Sequence, residues 1–194
     1  MTKFVQVDSA EGAFIGACWM IFFVVWLVAG MYTKRTVERS SSLWRVVVVM
    51  AILAFVASRA ARLPIFADFV LWPYSPTVGL IADAVVAAGL LTALWARFTL
   101  GTNWSGAITF KQDHALITSG PYALARHPIY TGMLLMMLGT AILSGHAAGF
   151  GFVAFVTLSL WLKAREEEKM MIKHFPDAYP KYRARVRALV PFIL

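Results

Sequence analysis

The spacing of the apolar residues constrains this chain more than any other feature of its sequence. Hydrophobic residues make up 60% of it and charged residues only 14%, and the apolar residues fall into discrete runs separated by basic and turn residues. A soluble domain, by contrast, carries about 25% charged residues. Five runs stand out, at residues 12–32, 43–57, 78–100, 129–143 and 147–162. The pattern predicts an all-α integral membrane protein with about five transmembrane helices.

The lengths of the runs predict how they are arranged. Residues 12–32 and 78–100 are long enough to cross a hydrocarbon layer of about 30 Å at about 1.5 Å per residue. The last two runs are short, so we expect a tilted antiparallel helical hairpin that turns at residues 145–149.

The sequence that follows the fifth run changes in character. Residues 163–174 predict a helix, and apolar side chains then recur at three- and four-residue spacing among basic ones, namely Tyr179, Tyr182, Val186 and Leu189. This spacing is typical of a basic amphipathic helix, which we interpret as an anchor on the membrane surface. The sequence therefore predicts a short C-terminal hairpin followed by amphipathic C-terminal helices.

The distribution of basic residues predicts the orientation. With five crossings, most Lys and Arg residues fall on the side of residues 101–127 and of the C-terminus, while the other side receives only Lys3, Arg59 and Arg62. Since Lys and Arg accumulate in cytoplasmic loops, we expect that loop and the C-terminus in the cytoplasm and the N-terminus outside an inner (cytoplasmic) membrane. The net charge of +8 does not indicate a nucleic-acid partner, because the basic residues flank apolar runs instead of forming a stripe with aromatic residues.

Unusual polar residues concentrate in two stretches, 113–132 and 163–168. His127-Pro128 predicts the start of the fourth helix, because proline is preset for the first helical position.

The histidines and glutamates of these stretches lack the spacing of a metal site, so no metal is expected. No repeat, low-complexity segment or linker divides residues 1–194, which predicts a single domain.

The residues of both stretches carry a resemblance to a known family. The string GPYALARHPIYTG is preceded by HALITSG and followed by EEEKMMIKHFPDAYPKYRARVRALVPF. Together they resemble the isoprenylcysteine carboxyl methyltransferase family and its bacterial phospholipid-methyltransferase-like relatives, over residues 100–192. The resemblance implies an S-adenosylmethionine-dependent membrane methyltransferase with a lipophilic acceptor. It further implies a three-helix membrane part at 1–100 and a cofactor-binding and catalytic part at 101–194.

The resemblance also implies which residues form the site. The positions that match the family's S-adenosylmethionine site are His114, Ala115, Leu116, Ile117, Tyr122, His127, Pro128, Ile129, Tyr130, Glu167 and Glu168. The catalytic candidates are Lys163, Arg165 and Glu167. Where the family often has an Arg four residues before its Glu, this chain has Lys163, and Arg165 lies close enough to substitute for it. Lysine is a point charge and lacks the planar fork of arginine.

The chemistry of the residues agrees with this class of reaction. A sulfonium cofactor needs a carboxylate acceptor, which Glu167 could supply, and aromatic faces, for which Tyr122, Tyr130 and Trp104 are candidates. Donors for the cofactor's carboxylate could be His127, Arg126 or backbone N–H groups at the start of the fourth helix. The acceptor stays open among a carboxylate, an amine and a thiol, and membrane lipids surround the protein.

Two alternatives come from other functional classes. A non-catalytic membrane scaffold would keep the fold without binding a cofactor. A lipid reductase would need a nicotinamide cofactor, but the sequence lacks a glycine-rich dinucleotide turn.

Overall fold

The fold is mostly helical. The computed structural model describes residues 10–33, 35–39, 69–104, 109–111 and 115–189. In chain order, its elements are helix α1 (Ala10–Met31), strand β1 (Thr36–Arg39), helix α2 (Pro76–Leu100), a 3-10 turn (Gly101–Asn103), strand β2 (Thr109–Lys111), a second 3-10 turn (Gly120–Ala123), helix α3 (Pro128–Ser144), helix α4 (Ala147–His174) and helix α5 (Ala178–Arg185). The predicted second run, 43–57, lies outside the described residues.

Three of the described helices are long and apolar enough to span a membrane. They are Ala10–Met31, Pro76–Asn103 and Ala147–His174, each of which contains an 18-residue stretch with a mean hydropathy of 2.3, 2.0 and 1.6, respectively. Helix α3 is apolar but has only 17 residues, which span about 26 Å at about 1.5 Å per residue. The helix predicted over residues 163–174 is not a separate element, because α4 continues through it without a break.

Local signals in the sequence fix where the helices begin and end. The hydroxyl of Ser75 accepts a hydrogen bond from the Val78 N–H at 3.3 Å, and Pro76 occupies the first helical turn of α2. Pro128 starts α3, which confirms the predicted boundary. Gly145 ends α3 with a φ of 65°, in the left-handed region that glycine tolerates. The hairpin turns at Gly145 and His146, and residues 147–149, which were predicted as part of the turn, already belong to α4.

The closest helix packing is between α2 and α3, and it depends on glycine. A Cβ atom on Gly132 would lie 2.6 Å from the Gly89 carbonyl oxygen, and one on Gly89 would lie 2.7 Å from the Gly132 oxygen. A Cβ on Gly139 would lie 2.7 Å from the Ala82 oxygen. Small residues let the two backbones approach in this way, as they do in membrane helix pairs generally. Since α3 follows the polar loop directly, this packing fixes the height of the loop relative to α2.

Arg97 joins the ends of α1 and α2. Its side chain is buried, donates hydrogen bonds at 2.6 Å to the carbonyl oxygens of Ala29 and Gly101, and lies 4.8 Å from the centroid of the Trp104 ring. The carbonyls in the last turn of a helix lack partners within the helix, and a cation is favoured there by the helix dipole. Arg97 therefore caps two helices at once, a role that its position beside an apolar run did not reveal.

The structure also contains a small two-stranded sheet, which the all-α prediction did not include. Strand β1 pairs antiparallel with β2, so that Glu38 lies opposite Phe110 and Thr36 lies opposite Lys111. Glu38 also contacts the end of α4, with the Lys173 ammonium at 2.8 Å and the His174 ring at 2.9 Å. Strands of three and four residues carry too little alternation to be predicted, since their stability comes from partners distant in sequence.

We expect Gly132→Ala to lower the free energy of unfolding by about 1–3 kcal/mol, because the new methyl group meets rigid backbone atoms. Unfolding of the detergent-solubilised protein by sodium dodecyl sulfate measures this change. Gly16→Ala is the matched control, since a Cβ atom there has nothing within 4 Å. Equal stability of the two variants would contradict the close packing of α2 on α3.

Candidate functional site

The main cavity of the described part of the chain has a volume of about 530 Å³ and lies where α1, α2, α3 and α4 meet. Its apolar lining comes from all of these helices and from the loop before α3, and α1 contributes the aromatic side chains of Phe22, Phe23 and Trp26. Its polar end is formed by the residues around the start of α3 and the middle of α4. The lining residues at that end include Asn103, Trp104, Tyr122, Arg126, His127, Tyr130, Lys163 and Glu167.

Glu167 is the centre of the polar end. The Tyr130 hydroxyl donates a hydrogen bond to its Oε1 at 2.7 Å, and the Lys163 ammonium lies 3.7 Å from the same oxygen. Nδ1 of His127 lies 3.5 Å from Oε2. The Lys163 ammonium is also 5.2 Å from the centroid of the Tyr130 ring, and this ring stacks on His127. One carboxylate thus has a cation, a phenol and an imidazole around it, inside a largely apolar cavity.

The three consecutive glutamates have three different environments. Consecutive residues of an α-helix point about 100° apart, so no two of them share a direction. Glu166 is exposed and pairs with Lys169 at 2.6 Å, Glu167 faces the cavity, and Glu168 is only 5% exposed. Of the three, only Glu167 lines this cavity.

Glu168 is the acidic partner of a buried ion pair. Its Oε1 accepts from Arg126, whose Nε is 2.8 Å away and whose second guanidinium nitrogen is 2.7 Å away. Nε2 of His127 lies 3.3 Å from the same oxygen, and Nε of Arg183 lies 3.3 Å from Oε2. This carboxylate therefore links the polar loop, α4 and α5, and it does not line the cavity.

The C-terminal segment is held by hydrogen bonds to the start of α3. The Arg126 N–H donates to the Arg187 oxygen at 2.8 Å, and the His127 N–H donates to the Ala188 oxygen at 2.9 Å. The Thr131 hydroxyl donates to the Leu189 oxygen at 2.5 Å. Because these carbonyls bond to the loop, the chain is not helical there, and the predicted amphipathic helix is confined to α5.

Helix α5 packs on the protein through two tyrosines. Tyr179 and Tyr182 are buried, and the Tyr182 hydroxyl donates to the Tyr122 oxygen at 2.5 Å. Burial raises the pKa of Tyr182 to about 12, so this hydroxyl stays protonated and remains a donor. Burial raises the pKa of Tyr122 as well, and its hydroxyl lies 3.4 Å from the Ala96 oxygen. The apolar face of α5 thus covers the cavity. The sequence alone had suggested that this face binds the membrane surface.

Most of the predicted site residues meet at the cavity. Those that line it are Ala115, Leu116, Ile117, Tyr122, His127, Ile129, Tyr130, Lys163 and Glu167. Pro128 is buried in the first turn of α3, and Glu168 lies behind the cavity in its ion pair. Arg165 lies on another face of α4, 3.8 Å from the centroid of the Trp161 ring, and does not line the cavity. His114 lies outside the described residues.

Arg126 was also expected to donate to a ligand carboxylate, but its N–H groups already donate to other groups of the protein. Besides Glu168, its guanidinium donates to the backbone oxygens of Val186 and Arg183. It therefore organises the wall of the cavity.

Sequence reasoning missed several lining residues. Asn103 lines the cavity, and its Oδ1 is buried without a hydrogen-bond partner among the described residues. Buried polar atoms are usually paired, so this oxygen is an acceptor available to a ligand. Phe22, Phe23 and Trp26 belong to a run that is apolar throughout, so the sequence carried no signal that distinguishes them.

A family model described as phospholipid methyltransferase matches residues 78–178 of the chain. Among relatives, a protein-S-isoprenylcysteine O-methyltransferase of Schizosaccharomyces pombe is 34% identical over 104 residues, which are 50% of this chain and 43% of that protein. The protein of the same name from Rattus norvegicus is 33% identical over 117 residues, 55% of this chain and 41% of the relative. The chain thus spans less than half the length of these two relatives. A probable protein-S-isoprenylcysteine O-methyltransferase of Oryza sativa subsp. indica is 28% identical over 173 residues, 86% of this chain and 87% of that protein.

One solved structure has the same fold over nearly the whole chain. It is the eukaryotic intramembrane Ras methyltransferase, an isoprenylcysteine carboxyl methyltransferase, with a TM-score of 0.58 and 20% identity. The match covers 97% of this chain and 70% of the other. It supports an integral membrane fold.

We expect Glu168→Gln to cost about 3 kcal/mol of unfolding free energy, because it leaves the buried guanidinium of Arg126 without its counter-charge. Glu166→Gln, which alters an exposed pair on the same helix, should cost about 0–0.5 kcal/mol. Unfolding of both variants by sodium dodecyl sulfate measures the difference. A Glu168→Gln variant as stable as Glu166→Gln would show that the ion pair does not hold the site together.

Proposed function

Because this chain belongs to the phospholipid methyltransferase family, we propose that it is an enzyme that transfers a methyl group from S-adenosylmethionine to a lipophilic acceptor in the membrane. The observation that carries the proposal is the position of Glu167. It lies with Tyr130 and Lys163 at the polar end of a cavity whose lining is otherwise largely apolar and includes three aromatic side chains of a helix long enough to span the membrane. A site that brings a polar cofactor next to an apolar acceptor needs both a polar end and an apolar wall.

The residues of the cavity fit S-adenosylmethionine. A volume of about 530 Å³ lies within the range of about 300–1,000 Å³ that is usual for cofactor pockets. Glu167 offers a carboxylate to hydroxyl or ammonium donors, and Asn103 offers its unpartnered oxygen. The aromatic rings of Tyr122, Tyr130 and Trp104 line the cavity and can face a cation. We propose this end of the cavity as the cofactor site.

S-adenosylmethionine, when bound, would supply an electrophilic methyl group: the acceptor would bond to the methyl carbon as the carbon–sulfur bond breaks, and the neutral thioether would be the leaving group. The protein's own contribution is position and exclusion of water. Tyr130 and His127 hold the carboxylate of Glu167 in place, and Tyr179 and Tyr182 close the cavity from the side of α5.

The acceptor is proposed to enter along α1. Phe23 lines the cavity and is 61% exposed on the surface of this apolar helix, so the cavity wall continues into the surface that faces lipid. Lys163, whose ammonium lies 3.7 Å from Oε1 of Glu167, lines the polar end and is proposed as the donor to an anionic acceptor group. The relatives are named O-methyltransferases, and a carboxylate nucleophile needs no general base, so a lipophilic carboxylate is the first acceptor to test. Lipophilic amines and thiols are tested beside it.

The site is proposed to face the cytoplasm. The loop that contains His127 and the C-terminal segment meet at the same end of the helices. Residues 101–127 and 163–187 together carry ten of the 18 Lys and Arg residues of the chain, and such residues accumulate in cytoplasmic segments.

We expect the detergent-purified protein to bind S-adenosylmethionine, and Glu167→Gln to weaken binding by about tenfold to a hundredfold. Loss of a hydrogen bond to a charged group costs about 1.5–3 kcal/mol, and each 1.4 kcal/mol is about tenfold in affinity. Isothermal titration calorimetry measures both, with Glu166→Gln as the matched control. If the folded wild type gives no heat of binding in detergent or in nanodiscs, the methyltransferase proposal fails and a non-catalytic scaffold becomes the better account.

We expect Phe23→Ala to raise the KM for a lipophilic acceptor about fivefold to tenfold while the affinity for the cofactor stays unchanged, because the variant removes apolar contact area on the acceptor side only. Transfer of a radiolabelled methyl group to an N-acetylated S-prenylcysteine in vesicles measures KM. Phe14→Ala is the control, since Phe14 is exposed on the same helix but does not line the cavity. Equal effects of the two variants would place acceptor entry elsewhere.

A further inference from the structure

A second pocket lies behind the cavity, between α4 and the C-terminal segment, with a volume of about 330 Å³. Its polar lining consists of four arginines, one glutamate and one tryptophan, namely Arg126, Arg165, Arg183, Arg187, Glu168 and Trp161. None of the proposed steps of methyl transfer uses this pocket.

The charge of this pocket is unbalanced. Glu168 is its single carboxylate among the described residues, and it is already paired with Arg126 and Arg183. Arg165 and Arg187 are exposed, and neither guanidinium forms an ion pair within the part of the chain that the structure describes. Four guanidinium groups against one carboxylate leave three positive charges around one concavity, which is suited to an anion such as phosphate.

The surface beside the pocket is suited to lipid. Leu158 and Leu162 are 57% and 48% exposed, and with Trp161 and Arg165 they lie on one side of α4 at three- and four-residue spacing. Trp161 stacks under the Arg165 guanidinium, and tryptophan at the end of an apolar span favours the headgroup layer. An exposed apolar stripe therefore leads directly to the arginines. Acyl chains can follow the stripe while a phosphate meets the guanidinium groups.

We propose that this pocket binds the phosphate of an anionic phospholipid from the membrane leaflet at that end of the helices. The positive charge disfavours the choline group of a zwitterionic lipid, whereas phosphatidylglycerol brings a phosphate without a cation. Basic pockets at the membrane surface recognise anionic headgroups by this chemistry. The lipid contacts Arg165 and Arg187, and through the neighbouring Arg126–Glu168 pair it lies next to the wall of the main cavity. This site does not depend on the proposed methyl transfer.

Native mass spectrometry of the full chain in detergent tests the site, with dioleoyl phosphatidylglycerol and dioleoyl phosphatidylcholine as the lipids. The wild type should retain phosphatidylglycerol in preference. The double variant Arg165→Gln, Arg187→Gln should bind it about 30-fold more weakly, since each arginine near an anionic headgroup contributes about fivefold in affinity. The matched control is Lys181→Gln, Arg185→Gln, which removes two exposed charges of the same segment that do not line the pocket.

Several outcomes would overturn the site. A wild type that holds both lipids equally excludes headgroup recognition, and this result needs no variant. An equal loss in the control double variant would assign the preference to overall charge. Binding of inorganic phosphate with the same affinity as the lipid, without any preference for phosphatidylglycerol, would make the pocket a site for soluble anions. If the double variant unfolds, the single variant Arg187→Gln should still bind phosphatidylglycerol about fivefold more weakly, and no loss there refutes the proposal.

Discussion

The candidate site depends on the buried pair of Arg126 and Glu168. Arg126 comes from the polar loop and Glu168 from α4, and their side chains are only 9% and 6% exposed. A buried guanidinium is costly unless every donor finds an acceptor. Here the remaining donors reach the backbone oxygens of the C-terminal segment. One pair thus fixes the loop, the membrane-spanning helix and the C-terminus relative to each other, and the cavity is the space that remains between them.

Two adjacent glutamates have different roles, one in the cavity and one in the ion pair behind it. Glu167 faces the cavity and Glu168 faces the ion pair, although the two are neighbours in sequence. His127 lies between them, since its two ring nitrogens are within 3.5 Å of one carboxylate and 3.3 Å of the other. The imidazole therefore links the Glu167 carboxylate in the cavity to the Arg126–Glu168 ion pair. A change at either glutamate should therefore alter the position of the other.

The packing of α2 on α3 sets the same geometry from the membrane side. Gly89 and Gly132 bring the two helices into backbone contact, so the first turn of α3 lies against the end of α2. Tyr122 and Ala96 meet there, at the edge of the cavity. The short length of α3 is consistent with its place beside longer apolar helices, because its C-terminal end is covered by the segment that contains Trp72. That segment bonds to the hairpin turn through the Leu71 N–H and the Trp72 ring nitrogen.

The sequence by itself determined the membrane class, the start of α3, the turn at Gly145 and about half of the residues that line the cavity. These follow from local physics, because apolar length, proline and glycine act on their own segment, and from a motif long enough to be specific. Only the tertiary structure decided that Arg165 turns away from the cavity, that Arg97 caps two helices, and that Asn103 and the α1 aromatics line the site. Helical periodicity fixes the directions of Lys163, Arg165 and Glu167 relative to each other. Which of these directions faces the cavity depends on the helices packed around α4. That choice belongs to contacts between residues far apart in the chain, and no single segment encodes it.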